Sequence, residues 1–397
     1  MPDVELNFSR AEYAARLAKV RAKMDAAGIE VLFTCDPSNM AWITGYDGWS
    51  FYVHQGVIVG PTGDPIFWGR AMDAVGATKT CYMDLDDIVG YSDDYVMSTE
   101  RHAMQHLAAL LKERGWAQLR LGVEMENYYY TAKAHAVLCA EIGQSPTDVT
   151  ALVNWCRAVK SDQELVYMRR GARIVERMHE RIFEVFEPGK RKNEVAAEIW
   201  HTAIWGAEED GVQFGGDYPA LTPLLPTGDE AAAAHLTWND KPVPNNSGTF
   251  FEIAGVHRRY HVPLCRTIWL GEPPADIQQA EEVVLEGIDA GIDAARVGNT
   301  AGDVARAFYG VLEKHGVERE GRCGYPIGMS YPPDWGERTF SIRPSDETVF
   351  EENMTFHFMP ALWMPEWGLE ITETLRIREG GAAEPLANVD RKLFVKN

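Results

Sequence analysis

Apolar residues recur at helical spacing near the start of the chain, where Tyr13, Leu17, Val20 and Met24 form one stripe. Ser9 and Glu12 supply a capping box ahead of it. A run over 29–34 predicts a strand, and Asp36-Pro-Ser-Asn39 predicts a turn into the next apolar run, 40–45. Residues 57–60 and 66–68 flank a Pro-Thr-Gly-Asp-Pro turn and read as a hairpin. Helical periods over 101–114 and 131–141 enclose a strand at 119–123. Strand alternating with helix in this way predicts a compact α/β domain over 1–155.

The pattern then changes. Ser161 and Glu164 form a second capping box that opens a long helix to about Phe186, stopped by Pro188-Gly189. A further helix is expected over 193–205, and Pro273-Pro274 and Thr300-Ala-Gly-Asp303 each open another. Strand-like runs occupy 248–254, 265–270, 354–362 and 369–377. Residues 156–397 therefore predict an α+β domain with helices covering one face of an antiparallel sheet.

Two acids interrupt this apolar pattern. Glu252 lies in Gly-Thr-Phe-Phe-Glu-Ile-Ala-Gly (248–255), and Glu373 lies in the run from Leu369 to Ile377. Counting by two along that run, Glu373 shares a face with Leu369, Ile371, Leu375 and Ile377. A carboxylate among such neighbours is costly to desolvate unless a cation or hydrogen-bond donor meets it. Both glutamates are thus candidate site residues.

Composition narrows the function classes. At 397 residues the chain exceeds one ordinary core, and its 46 % hydrophobic and 24 % charged residues suit a soluble globular protein. Net charge is 38 − 59 = −21, which repels nucleic acid and anionic membranes. Six scattered cysteines without a CxxC pair argue against a disulfide framework or structural zinc. The N-terminal residues show no basic region followed by an apolar stretch, so a cytoplasmic location is expected.

Several segments, taken in order, resemble the pita-bread fold of creatinase and the methionine and proline aminopeptidases. They are Arg157-Ala-Val-Lys160-Ser161, Gly228 with His235, Tyr-His-Val-Pro-Leu-Cys-Arg-Thr (260–267), Gly-Tyr-Pro-Ile-Gly (324–328), Tyr331 with Pro-Pro-Asp-Trp-Gly-Glu-Arg (332–338), and Glu373-Thr-Leu. The resemblance spans nearly the whole chain, since creatinase-like members carry an N-terminal α/β domain. Metal-dependent relatives hold two cations with Asp, Asp, His, Glu and Glu, and this chain offers Glu252, Pro263, Tyr325, Met359 and Glu373 there. Proline cannot ligate and a thioether is too soft for a hard divalent ion, so no metal or other cofactor is expected. Within the metal-free branch the chain is most similar to the ectoine hydrolases, which open a cyclic amidine to an N-acetylated 2,4-diaminobutyrate.

That resemblance implies roles. Glu252 is expected to attack the amidine carbon or activate water, and His235 to shuttle the proton to the departing nitrogen. Glu373 is expected to face the amidinium or position His235. Arg338 is expected to clamp the substrate carboxylate bidentately. Tyr325 lines the cavity as a former ligand position, and Gln213 opens a Gly-rich segment, 213–216, expected to approach the ligand. Creatinase-like dimers reach over each other's sites, so Trp49 and Tyr52 are expected to wall the partner subunit's site, although both also read as domain core or dimer interface. His257, His261 and His357 rank below His235 because no motif singles them out. The implied partners are a small zwitterion such as ectoine, a second copy of the chain and a downstream deacetylase. A creatinase-type guanidine hydrolase, a metal-dependent Xaa-Pro peptidase or sulfonium lyase, and an inactive binding module stay open beside this reading.

Overall fold

The computed structural model describes residues 4–397, and the chain divides between Arg157 and Ala158 into two compact units. The expected boundary at 155/156 falls inside the last helix of the first unit, Leu152–Arg157.

The first unit runs α1 (Arg10–Ala26), β1 (Val31–Thr34), α2 (Pro37–Thr44), β2 (Gly56–Val59), β3 (Ile66–Arg70), α3 (Ala71–Thr80), β4 (Ile88–Tyr91), α4 (Ala103–Glu113), β5 (Leu121–Val123), α5 (Ala132–Ile142), β6 (Thr147–Asp148) and α6 (Leu152–Arg157). Its six strands order as β4-β3-β2-β1-β5-β6 in a mixed sheet. Phe33, Ile58, Trp68, Leu107, Leu111 and Leu138 fill the core between this sheet and α4 and α5. Asp36-Pro-Ser-Asn39 begins helix α2 and is not a turn. The Asp36 carboxylate accepts from Ser38 N–H at 2.8 Å, and Pro37 occupies the first helical position, where its missing N–H costs nothing.

The second unit runs α7 (Asp162–Val185), α8 (Lys192–Trp205), β7 (Ala207–Glu209), β8 (Val212–Phe214), β9 (Ser247–His257), β10 (Tyr260–Leu270), α9 (Ala275–Ala294), α10 (Ala301–Lys314), β11 (Gly324–Tyr331), β12 (Asp334–Gly336), β13 (Thr355–Phe358), β14 (Ala361–Met364), β15 (Trp367–Glu370), β16 (Glu373–Arg376), β17 (Glu384–Pro385) and β18 (Phe394–Lys396). The main sheet orders as β17-β16-β13-β11-β10-β18, with β9 on β10 and β12 on β11. Its pairs are antiparallel except β10 with β18. Of the two expected capping boxes, the one at Ser161 is formed. At Ser9 the hydroxyl accepts from Glu12 N–H at 3.1 Å while the Glu12 carboxylate turns to Arg16. Thr300 with Asp303 adds a box of its own. Core residues of α9 and α10, including Val284, Ile288, Val304 and Phe308, pack with Phe356, Phe358 and Leu375 of the sheet.

Two expected strands are broken, each for a local reason. The run 354–362 splits at Met359-Pro360, where proline has no N–H to give a ladder. The run 369–377 splits at Ile371-Thr372 because Thr372 turns to β10 instead. Its N–H donates to the Cys265 carbonyl at 3.1 Å, and its hydroxyl accepts from Cys265 N–H at 2.7 Å. Conversely, β10 runs straight through Pro263 to Tyr260, longer than the expected 265–270. Each residue of β10 is matched by one of β9, and the Pro263 carbonyl accepts from the Thr374 hydroxyl at 2.6 Å.

Candidate active site

Glu252 sits at the middle of β9, opposite Cys265 of β10, so both side chains project from the same face. On the other edge of β9 its backbone exchanges two hydrogen bonds with Leu224, at 3.0 and 3.1 Å. The residue is held on both sides and its carboxyl is buried. Burial pushes its pKa up to about 7, because a low-dielectric surrounding disfavours the charge.

Beside it, within 3.9 Å of Glu252 Oε1, lies Nδ1 of the fully buried His357. That gap exceeds a hydrogen bond, although contacts of this kind tighten when a substrate arrives. His357 is the middle of a chain of polar groups. Its Nδ1 meets the Tyr325 hydroxyl at 3.1 Å, and Tyr325 accepts from the Trp335 indole N–H at 2.7 Å. Its Nε2 meets the Thr372 hydroxyl at 2.7 Å. Burial, assisted by the positive charge of Arg322, lowers the His357 pKa to about 3, so the imidazole is neutral and either nitrogen can carry its proton. Burial and the negative charge of Glu252 raise the Tyr325 pKa well above its ordinary value, which keeps the phenol protonated.

A second carboxyl borders Glu252. Glu370, at the end of β15, is buried, and burial together with the Glu252 charge drives its pKa well up. Cys265 feels both acids, and burial with their charges lifts its thiol far from ionisation.

The residues singled out in the sequence divide. Glu252 and Tyr325 meet in this cluster, as does His357, which had ranked below His235. His235 lies exposed on the segment between residues 233 and 246, outside the hydrogen-bonded group around Glu252. Glu373 is buried and its carboxylate meets arginines, while its Oε2 has no hydrogen-bond partner. Its Oε1 accepts from Arg266 at 2.8 Å, with Arg391 at 3.4 Å. Arg266 also donates to the carbonyls of Cys265, Thr372, Val389 and Asp390, so this pair is a structural knot under the sheet. Arg338 is exposed and its backbone is left-handed, φ 58°. Gln213 is exposed on the β7–β8 hairpin, and Trp49 and Tyr52 are each 60 % exposed on the first unit. His261 is fixed as the Nδ1-H tautomer, donating to the Arg259 carbonyl at 2.9 Å and accepting from Ala220 N–H at 2.8 Å.

The five positions that hold two cations in metal-dependent relatives do not fit them here. Pro263 offers no side-chain donor, the Tyr325 hydroxyl is engaged by Trp335 and His357, and Glu373 is neutralised by arginine. Among the described residues no three His, Cys, Asp or Glu side chains converge as a metal-holding group.

Sequence missed Glu370, Thr372 and Cys265. Glu370 was visible only as an acid in an apolar run, on the strand face opposite to Glu373.

Two family descriptions match the chain: metallopeptidase family M24 over residues 166–379, and the creatinase/prolidase N-terminal domain over 16–159. The chain is 54 % identical to the ectoine hydrolase of Halomonas elongata, over 100 % of both chains. It is 39 % identical to the uncharacterized hydrolase/peptidase y4tM of Sinorhizobium fredii, over 99 % of both. In fold it is similar to the dipeptidase PepE of Mycobacterium ulcerans, with a TM-score of 0.80 at 22 % identity, covering 98 % of this chain and 99 % of that one. The protein is a member of metallopeptidase family M24, with a creatinase/prolidase N-terminal domain preceding its pita-bread domain.

Proposed function

We propose that the protein hydrolyses the ring C–N bond of ectoine, yielding N-acetyl-2,4-diaminobutyrate, with protein side chains in place of metal ions. The observation that carries this reading is the full-length 54 % identity to an ectoine hydrolase. The site chemistry supports it. Ectoine presents a delocalised amidinium, and a buried pair of carboxyls is a natural counterpart to such a cation. Glu252, ionised above its pKa of about 7, either adds directly to the amidine carbon or takes a proton from the water that does. The neutral His357, tied to Tyr325 and Thr372, fixes the carboxylate's surroundings. His357 is proposed to position the buried carboxylate, and His235, which is exposed, to exchange protons with solvent. Arg338 is the proposed cation for the substrate carboxylate. Trp49 and Tyr52 are proposed to close over the site of a second subunit in a homodimer, with π faces toward the delocalised charge. The acetylated product calls for a deacetylase downstream.

Product analysis of purified protein incubated with ectoine and, separately, with creatine tests the proposal. Ring-opened, acetylated diaminobutyrate from ectoine alone, insensitive to a chelator, is the expected result. Urea from creatine, or ectoine turnover abolished by chelation and restored by a divalent ion, would overturn the substrate or the metal-free chemistry respectively.

A further inference from the structure

Buried polar atoms in folded proteins nearly always find a partner, and each exception calls for an explanation. Glu370 supplies two on one carboxyl: both its oxygens are shielded from water and neither accepts a hydrogen bond. Glu373, three residues later, differs in degree: one of its oxygens meets an arginine at 2.8 Å and only the other is left without a partner. Glu370 meets no cation on either. The backbone that carries Glu370 is fixed on both sides. Its N–H donates to the Thr267 hydroxyl and its carbonyl accepts from the same hydroxyl, both at 2.9 Å. Thr267 stands on β10, two residues beyond the partner of Glu252. A third orphan points the same way. The indole N–H of Trp363, on β14, is buried without an acceptor, and its ring packs with Cys265 and Phe250. Glu252, Glu370 and Trp363 thus all border one thiol, and packing alone has no use for an unpaired carboxyl there.

We infer that Glu370 is a second substrate-contacting carboxyl, which accepts the N–H of the departing ring nitrogen on binding and then gives that nitrogen its proton. This rests on the amidine-hydrolase reading above and names the acid that reading lacks. The groups facing Glu370 suit the role. Burial and the Glu252 charge keep it protonated, and the Arg319 guanidinium opposes them only in part. Cys265, its thiol held protonated by the same acids, brings no further charge.

The step balances. An oxygen adds to the amidine carbon and the ring C–N bond breaks, its electron pair leaving with nitrogen. That nitrogen takes one proton from Glu370 and a second from Glu252, becoming an ammonium. The water, losing both hydrogens as it becomes the amide oxygen, restores one proton to Glu370 and gives the other to Glu252. Glu252 ends ionised and Glu370 protonated, as they began.

Glu370→Gln and Glu370→Asp variants test this, with kcat and KM on ectoine measured beside the thermal midpoint. The Gln variant keeps the shape but has no proton to deliver. Its kcat is expected to fall about 100-fold or more, the usual worth of general acid catalysis. Its thermal midpoint is expected to stay near the parent's, since an amide of the same shape replaces one unpartnered neutral group by another. The Asp variant, still an acid, is expected to keep more kcat than the Gln variant. If parent and Gln variant open ectoine with kcat and KM within about threefold of each other, Glu370 is not the acid. Loss of activity in both variants together with a lower thermal midpoint would make it a structural residue instead. A parent that does not open ectoine overturns this inference and the substrate reading together, whereas an active parent with an active Gln variant overturns Glu370 alone.

Discussion

Glu252 carries a measurable signature because its proton affinity differs between the folded and unfolded chain. Its pKa rises from an ordinary 4.5 to about 7 on burial. Between those values the folded protein binds more protons than the unfolded one, so this residue's contribution to stability is lost as pH rises from about 4.5 to about 7. If the ionised form does the chemistry, kcat/KM must climb over the same upper range, with an acid limb near pH 7. Glu252→Gln is expected to lose activity by at least about 10³-fold, since it removes the group proposed to attack or to activate water. The same variant should show flatter stability between pH 5 and 7, measured by denaturant titration at several pH values. A Gln variant with near-parental turnover, or a parental kcat/KM that is flat across pH 7, would remove Glu252 from the chemistry. The opposite sign applies to His357. Its pKa is lowered to about 3, so stability tied to it is lost as pH falls below the ordinary histidine range toward that value.

Elements, more than single residues, explain which sequence motifs matter. Lys160, from the linker motif, and Glu337, from the Pro-Pro-Asp-Trp-Gly-Glu-Arg block, form an ion pair at 2.7 Å that is almost wholly buried. Gly328 of β11 lies beneath them, where a Cβ would overlap Glu337 Oε1 and come within 2.7 Å of Lys160 Cε. Three of the segments that suggested the family thus meet at one point and hold β12, whose Trp335 orients Tyr325. Gly328→Ala should break this pair and cost about 3 kcal/mol of stability, the scale of an uncompensated buried charge. Urea unfolding would measure it, and a loss under about 0.5 kcal/mol would show that the pair adjusts freely. The same scale shows what was legible in the sequence. The capping box at Ser161 and the helix start at Thr300 were legible because local side-chain bonds decide them. Glu252 was legible because its neighbours are apolar and glycines bound the run. Glu370 was not, because two-residue alternation assumes a strand with one wet face, whereas Leu369, Glu370, Ile371 and Thr372 are all buried. Nor could spacing reveal that Thr372 leaves the ladder to bond β10, a choice made by a partner about a hundred residues away, as the Cys265 N–H contact shows.

For the whole molecule, the proposed homodimer has a consequence for how many chains make one site. Trp49 and Tyr52 are large, aromatic and each 60 % exposed, an unfavourable arrangement for a monomer unless something covers them. The proposed homodimer supplies the cover, and twofold symmetry makes the prediction quantitative. Consider subunits carrying Glu252→Gln mixed with subunits carrying Trp49→Ala and Tyr52→Ala. If walls act in trans, the hybrid dimer has one site with an intact Glu252 and intact walls from its partner, and one site with neither. Random reassociation makes half the dimers hybrid, so about a quarter of parental activity should return from two parents that are each nearly inactive. If the aromatic pair served its own chain's site, every site in the hybrid would carry one defect and mixing would restore nothing. Coexpression with two different affinity tags isolates the hybrid, in which half the sites should work. An inactive hybrid of correct dimeric mass would place the walls in cis, and a chain that stays monomeric at assay concentration while active would show that no second copy is needed.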